Sequence, residues 1–150
     1  MKIAVGSDEK TQTVDFVIDY LQKKGHKVKF FGALVADKAL WSQVAWEVAE
    51  AVKKGMVQEG ILMCWTGTGV ALAASKVPGI RAVTVTDAKT TAGARKWNHA
   101  NICCFSCFLD KKTAKEILDT WFSTPFSQDP GDIEGVKKIK EIESKYLKET

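Results

Sequence analysis

Gly60-Ile61-Leu62-Met63-Cys64-Trp65-Thr66-Gly67-Thr68-Gly69-Val70 is the stretch on which the reading of this chain turns. Its consecutive apolar residues fit a strand buried on both faces, which breaks into a glycine-rich turn and then a helix. A strand of that kind belongs to a parallel sheet whose two faces are both covered by helices. The flanking sequence carries the same pattern in both directions. Short apolar runs at Ile3–Gly6, Lys27–Phe31, Gly60–Trp65, Ala82–Thr86 and Asn101–Ser106 read as strands. Between them, Val14, Val17, Ile18 and Leu21 recur at helical spacing before Gly25, and Val44, Val48, Ala51 and Val52 do so before Gly55. Further helices are expected from Thr68 to Lys76, from Lys89 to Trp97 and from Lys111 to Phe122, which makes five βα units.

Beyond Pro125 and Pro130 the composition changes. Ile133, Val136, Ile139, Ile142 and Tyr146 form an apolar stripe on a charged segment, so residues 132–148 are expected as an appended amphipathic helix. Glu134 with Lys138 and Glu141 with Lys145 stand four apart in the favourable order, as on a solvated face. The stripe itself must be covered, by its own domain or across a dimer.

The chain has 150 residues, of which 45% are hydrophobic and 27% charged, the balance of one folded domain rather than a disordered or fibrous chain. Nothing approaches the run of about 18 apolar residues that a membrane-spanning helix needs. The formal net charge is +4, without a basic cluster interleaved with aromatic residues, so neither nucleic acid nor a membrane is an expected partner. Met1-Lys2-Ile3-Ala4-Val5 runs straight into a strand, with no signal peptide expected. Cys64, Cys103, Cys104 and Cys107 lie in apolar surroundings, which favours reduced thiols and a cytoplasmic location.

In an open α/β sheet, ligands sit beyond the carboxyl ends of the strands. Three segments fall there or close by. In the Thr66-Gly67-Thr68-Gly69 turn, glycines allow backbone N–H groups to approach an oxyanion, although a tight turn without a ligand has the same composition. No Gly-Lys-Thr or Gly-Lys-Ser follows, so it is not a Walker loop. Cys64 ends its strand where a substrate would sit, as a base or as a small buried hydrophobe. Asp8 and Glu9 follow the first strand, as catalytic or binding carboxylates or as a simple turn. His99, between the fourth helix and the fifth strand, is a proton shuttle or polar filler. Cys104 and Cys107 form a C-x-x-C without a second ligand pair, so core packing is expected and no metal.

The Lys2–Asp8 strand, the run GILMCWTGTGVALAASKVPGIRA from Gly60 to Ala82, and the Ala94–Asn101 stretch together resemble the ribose-5-phosphate isomerase B and galactose-6-phosphate isomerase family. The likeness covers most of the chain. It implies a Rossmann-like three-layer α/β sandwich with a five-stranded parallel sheet, assembled as a homodimer or tetramer with active sites shared between subunits. It implies interconversion of an aldose and a ketose through an enediolate, with no metal or organic cofactor. Cys64 matches the family's base, and Thr66 the hydroxyl that steadies the enediolate oxygen together with amides around Gly67, Thr68 and Gly69. Asp8 matches an acidic residue after the first strand, and Asn98 an asparagine after the fourth helix.

The departures fall on residues that handle the ring and the phosphate. Glu9 and Trp97 stand where histidines are usual, Phe108 where an arginine is, and Trp65 replaces a glycine. The terminal segment offers Asp132, Lys137 and Lys138 in place of arginines. Trp41, Trp65 and Trp97 supply aromatic surface suited to the apolar face of a sugar. The resulting expectation is an aldose–ketose isomerase of a small sugar or sugar phosphate. Cys64, Thr66, Asp8 and His99 would be catalytic, while Glu9, Trp65, Gly67, Thr68, Gly69, Asn98, Trp97 and Trp41 would bind substrate. Two other readings stay open: an isomerase or epimerase of an unphosphorylated or unusual sugar, and a sugar-binding subunit of a heteromeric isomerase that does not itself catalyse.

Overall fold

A computed structural model describes residues 1–147. Its elements alternate: β1 (Lys2–Ser7), α1 (Gln12–Lys23), β2 (Lys27–Gly32), α2 (Trp41–Lys53), β3 (Glu59–Cys64), α3 (Thr68–Ala74), β4 (Ala82–Thr84), α4 (Ala88–Asn98), β5 (Ile102–Ser106), α5 (Lys111–Ser123) and α6 (Pro130–Leu147). All strand pairings are parallel, and the sheet runs in the order β2-β1-β3-β5-β4. The fold is thus the parallel sheet covered by helices that the alternation predicts, and the Rossmann-like α/β sandwich that the resemblance implies. β4 stops at Thr84 rather than Thr86, because the chain turns there into the cap of α4, where the Asp87 carboxylate accepts the Thr90 N–H at 2.7 Å; α3 likewise ends at Ala74 rather than Lys76. The expected terminal helix is present from Pro130, while Lys148 lies outside the described residues.

The core follows from strand parity. Ile3 and Val5 of β1, Ile61 and Met63 of β3, and Cys103 and Phe105 of β5 pack with α1 and α5 on one face. Ala4, Leu62, Cys64, Ile102 and Cys104 point the other way, onto α2 and α3. Cys103, Cys104 and Cys107 are fully buried. Burial, above the smaller effects of neighbouring groups, raises the Cys103 and Cys104 thiols well above their ordinary range, and burial with the nearby Asp8 and Glu9 charges pushes Cys107 up to about 11. These three behave as small hydrophobes. Among the described residues no group of three or more His, Cys, Asp or Glu side chains is placed to hold a metal ion.

A polar clamp holds the amino-terminal edge of the sheet. Glu59 accepts from the Trp121 indole at 2.6 Å and from Arg95 at 2.9 Å, and Arg95 also donates to the Ala100 carbonyl at 2.7 Å. The guanidinium lies between the rings of Trp121 and Phe126, 4.4 and 4.6 Å from their centroids. The sequence reading did not single out this network, because its members are scattered over three elements and two connecting segments.

Gly67 links β3 to α3 with φ of 73°, a left-handed conformation, and a Cβ there would lie 2.6 Å from the Phe105 Cα. The turn therefore sits directly on β5, with Thr84 donating to the Gly67 carbonyl at 2.7 Å and Ser106 to the Trp65 carbonyl at 2.6 Å. Gly67→Ala is expected to cost at least about 1–2 kcal/mol from the backbone conformation alone, with more from the clash. Urea denaturation measures it, and a loss below about 0.5 kcal/mol would show that the turn relaxes freely.

Candidate active site

The chain passes from β1 outward to β2 and then crosses back to β3 on the other side of β1, so the direction of winding reverses between β1 and β3. A crevice opens at such a point beyond the carboxyl ends of the strands. The register pairs Ser7 with Met63, and one step further brings Asp8 beside Cys64. A cavity of about 290 Å³ lies there, lined by Asp8, Trp41, Cys64, Trp65, Thr66, Thr68 and Gly69. Cys64 is 6% exposed and reaches this space from the α2–α3 face of the sheet.

Each wall has a local cause. The hydroxyls of Thr66 and Thr68 share a hydrogen bond of 2.6 Å across Gly67. Trp41, the first residue of α2, packs against the start of α3: a Cβ on Gly69 would come within 3.0 Å of its ring, so Gly69 is the residue that admits the indole. Trp65 stands 65% exposed at the rim, meets Phe108 edge to face at 5.4 Å, and donates from its indole nitrogen to Glu9 at 3.1 Å. Asp8 keeps one carboxylate oxygen, Oδ1, buried with no hydrogen-bond partner among the described residues. Burial raises the Asp8 carboxyl above its ordinary range, and the neighbouring Glu9 charge adds to the rise against opposing backbone hydrogen bonds.

Trp97, Asn98 and His99 are elsewhere. α4 starts after the carboxyl end of β4 and runs back to the amino-terminal edge, where Asn101 accepts the Gly60 N–H. Pairing of Gly60 with Ile102 and of Cys64 with Ser106 sets four residue steps between the two edges, about 13 Å. His99 has φ of 48°, closes α4, stacks on Phe126 at 4.6 Å and makes a 3.0 Å hydrogen bond with the Ser127 carbonyl. Trp97 is 56% exposed and covers Gly93 of its own helix. Within one chain these three residues do not meet Cys64.

The sequence model of the Ribose/Galactose Isomerase family matches residues 3–142. The chain belongs to this family. Its enzyme class is therefore aldose–ketose isomerase, and the family is one of sugar-phosphate isomerases. Among its relatives, ribose-5-P isomerase B of Listeria innocua is 36% identical over 129 residues, covering 85% of this chain and 87% of that protein. D-erythrulose-4-phosphate isomerase of Pectobacterium atrosepticum is 34% identical over 144 residues, covering 93% of each. The solved structure of ribose-5-phosphate isomerase B from Clostridium thermocellum superposes with a TM-score of 0.91 at 38% identity, over 97% of this chain and 99% of that one.

Within the family framework the cavity gathers seven of the expected site residues, Asp8, Trp41, Cys64, Trp65, Thr66, Thr68 and Gly69. Gly67 shapes its turn and Glu9 braces its rim through Trp65. Thr84 and Ser106, which anchor the turn, were missed. The available signal was a hydroxyl at the end of an otherwise apolar strand.

Proposed function

We propose that the protein interconverts the aldose and ketose forms of a small sugar or sugar phosphate through a cis-enediolate, with Cys64 as the base. The observation that carries this reading is the convergence of Cys64, Asp8 and the Thr66–Gly69 turn on one cavity at the reversal point of the sheet. The Cys64 thiolate removes a proton from the carbon beside the carbonyl, and the electron pair moves onto the carbonyl oxygen. The Thr66 hydroxyl and the turn amides donate to that oxygen as its charge develops. The thiol then returns the proton to the neighbouring carbon, while a hydroxyl proton passes between the two oxygens. This sequence is redox-balanced within the substrate and needs no metal or organic cofactor.

The protein acts in this reading as a homodimer or a larger assembly. The α6 helix has no buried residue, and Ile133, Ile139, Ile142 and Tyr146 leave an apolar face that a second copy would cover. Asn98 and His99, too far from their own Cys64, would serve a site only across such an interface. Four free, buried thiols agree with a cytoplasmic setting, and among the described residues no helix is long and apolar enough to cross a membrane.

Proton–deuterium exchange followed by NMR in heavy water tests the reaction directly. Deuterium entering the carbon beside the carbonyl of an aldose or ketose is expected; absence of exchange across a panel of sugars and their phosphates would favour a binding subunit without catalysis.

A further inference from the structure

β1, β3 and β5 are neighbours in the sheet, and just past their carboxyl ends stand Glu9, Trp65 and Phe108, with Trp65 in the middle. The Trp65 indole donates from Nε1 to the Glu9 carboxylate at 3.1 Å on one flank and meets the Phe108 ring edge to face at 5.4 Å on the other. The backbone beneath this bar is fixed as well. Ser7, fully buried, donates to the Glu9 carbonyl at 2.7 Å and accepts the Glu9 N–H at 3.2 Å. Ser106 donates to the Trp65 carbonyl at 2.6 Å and accepts the Phe108 N–H at 3.1 Å. All of these contacts are made within one chain, so the bar does not wait on a second copy to form. The Cys64 cavity is lined by Trp65 but by neither Glu9 nor Phe108. An exposed indole without such supports changes rotamer on the picosecond-to-nanosecond scale, and a substrate binding beside it would have to still it. Held on both flanks, the ring presents one fixed wall next to the thiol.

We propose that Glu9 is a positioning residue, which acts on the substrate through Trp65: its carboxylate holds the indole as a fixed wall of the Cys64 cavity, with Phe108 bracing the other side. The proposal rests on the isomerase reading above and changes the part that Glu9 plays in it, from a group that binds the substrate to one that prepares the wall. Glu9, Trp65 and Phe108 are also three of the positions at which the sequence departs from its family, and contact of Trp65 with both of the others makes the three replacements one unit.

The test uses the full chain, isotopically labelled so that its indole N–H resonances are read alongside deuterium exchange into D-ribose 5-phosphate, D-erythrulose 4-phosphate and D-galactose 6-phosphate over a concentration series. Of the five tryptophan signals, the one missing in Trp65→Phe belongs to Trp65. Glu9→Ala is expected to move that signal upfield and to raise KM by about three- to tenfold, the weight of one hydrogen bond, with kcat nearly constant. Glu9→Gln, whose amide oxygen still accepts the indole N–H, should recover most of the loss. Trp65→Phe keeps a ring and loses the N–H, so it should raise KM to a similar extent, and adding Glu9→Ala to it should cost less than about twofold more, because both changes remove the same bond. A further full loss in the double variant would show Glu9 meeting the substrate directly and would overturn the proposal. A Trp65 signal unmoved in Glu9→Ala would overturn it too, as would a change of molecular mass in light scattering for Trp65→Phe, which would place the indole in a subunit interface instead. In each of those cases the isomerase reading stands, whereas a starting protein that exchanges none of the three probes would remove that reading and the proposal together.

Discussion

Cys64→Ala is expected to lower the rate of deuterium exchange by about 10²–10⁴-fold, the contribution typical of a positioned general base. The protein should stay folded, because the substitution removes one sulfur atom from a residue at the edge of the α2–α3 cluster, at a cost of about 1–2 kcal/mol. Cys64→Ser serves as the control for shape: it keeps the side chain's size but offers a far weaker base, so its loss should approach that of Cys64→Ala. Asp8 is the competing candidate, since its carboxylate lines the same cavity and its Oδ1 is free to receive a proton. Turnover within about threefold of the starting protein in Cys64→Ala, together with loss in Asp8→Asn, would move the base to Asp8.

The largest effect on stability is expected at the opposite edge of the sheet. Trp121 is fully buried, so Trp121→Ala removes a large aromatic side chain and leaves a cavity, at about 3–5 kcal/mol. It also takes the indole donor from Glu59 and one of the two rings from the face of Arg95, with both charges still largely buried. Against a total stability of about 5–15 kcal/mol, that is a third or more of what a domain of this size commonly has. Urea denaturation followed by circular dichroism reads the change. Trp121→Phe keeps the ring and loses the N–H, and should cost about 1–3 kcal/mol. A loss under about 1 kcal/mol in Trp121→Ala would mean that the clamp at Glu59 is redundant.

The order of the elements was legible in the chain because apolar runs and helical spacing alternate without interruption from Ile3 to Phe122. What that alternation does not encode is which strand lies beside which. β5 inserts between β3 and β4, and nothing in the composition of Cys103–Phe105 distinguishes a central strand from its neighbour β4. The site was legible to the extent that its residues sit on short, contiguous segments: Cys64 to Gly69 form one strand end and turn, and Asp8 one step beyond the adjacent strand. Trp41 was picked out as aromatic surface, and its true relation to the start of α3, ring against Gly69, is a packing fact that only three dimensions supply. Trp97, Asn98 and His99 share a sequence neighbourhood with the fifth strand, yet a helix running antiparallel to the sheet carries them to its far edge. The Arg95 clamp was invisible for a similar reason, since Glu59, Arg95, Trp121 and Phe126 are brought together from distant segments.

The alternation of β3, with Ile61 and Met63 on one face and Leu62 and Cys64 on the other, ties the placing of the thiol in the cavity to whether a count is odd or even. Loss or gain of a single residue anywhere between Glu59 and Cys64 would turn the thiol toward α1 and α5, away from the cavity, and drive Ile61 and Met63 against α2 and α3. A change of two residues restores the facing but moves Cys64 by about 7 Å along the strand, out of line with Asp8. Drift in length is therefore closed to this segment in a way that drift in residue type is not: many apolar side chains can fill Leu62 or Met63, while the spacing from Gly60 to the turn has no tolerated neighbour.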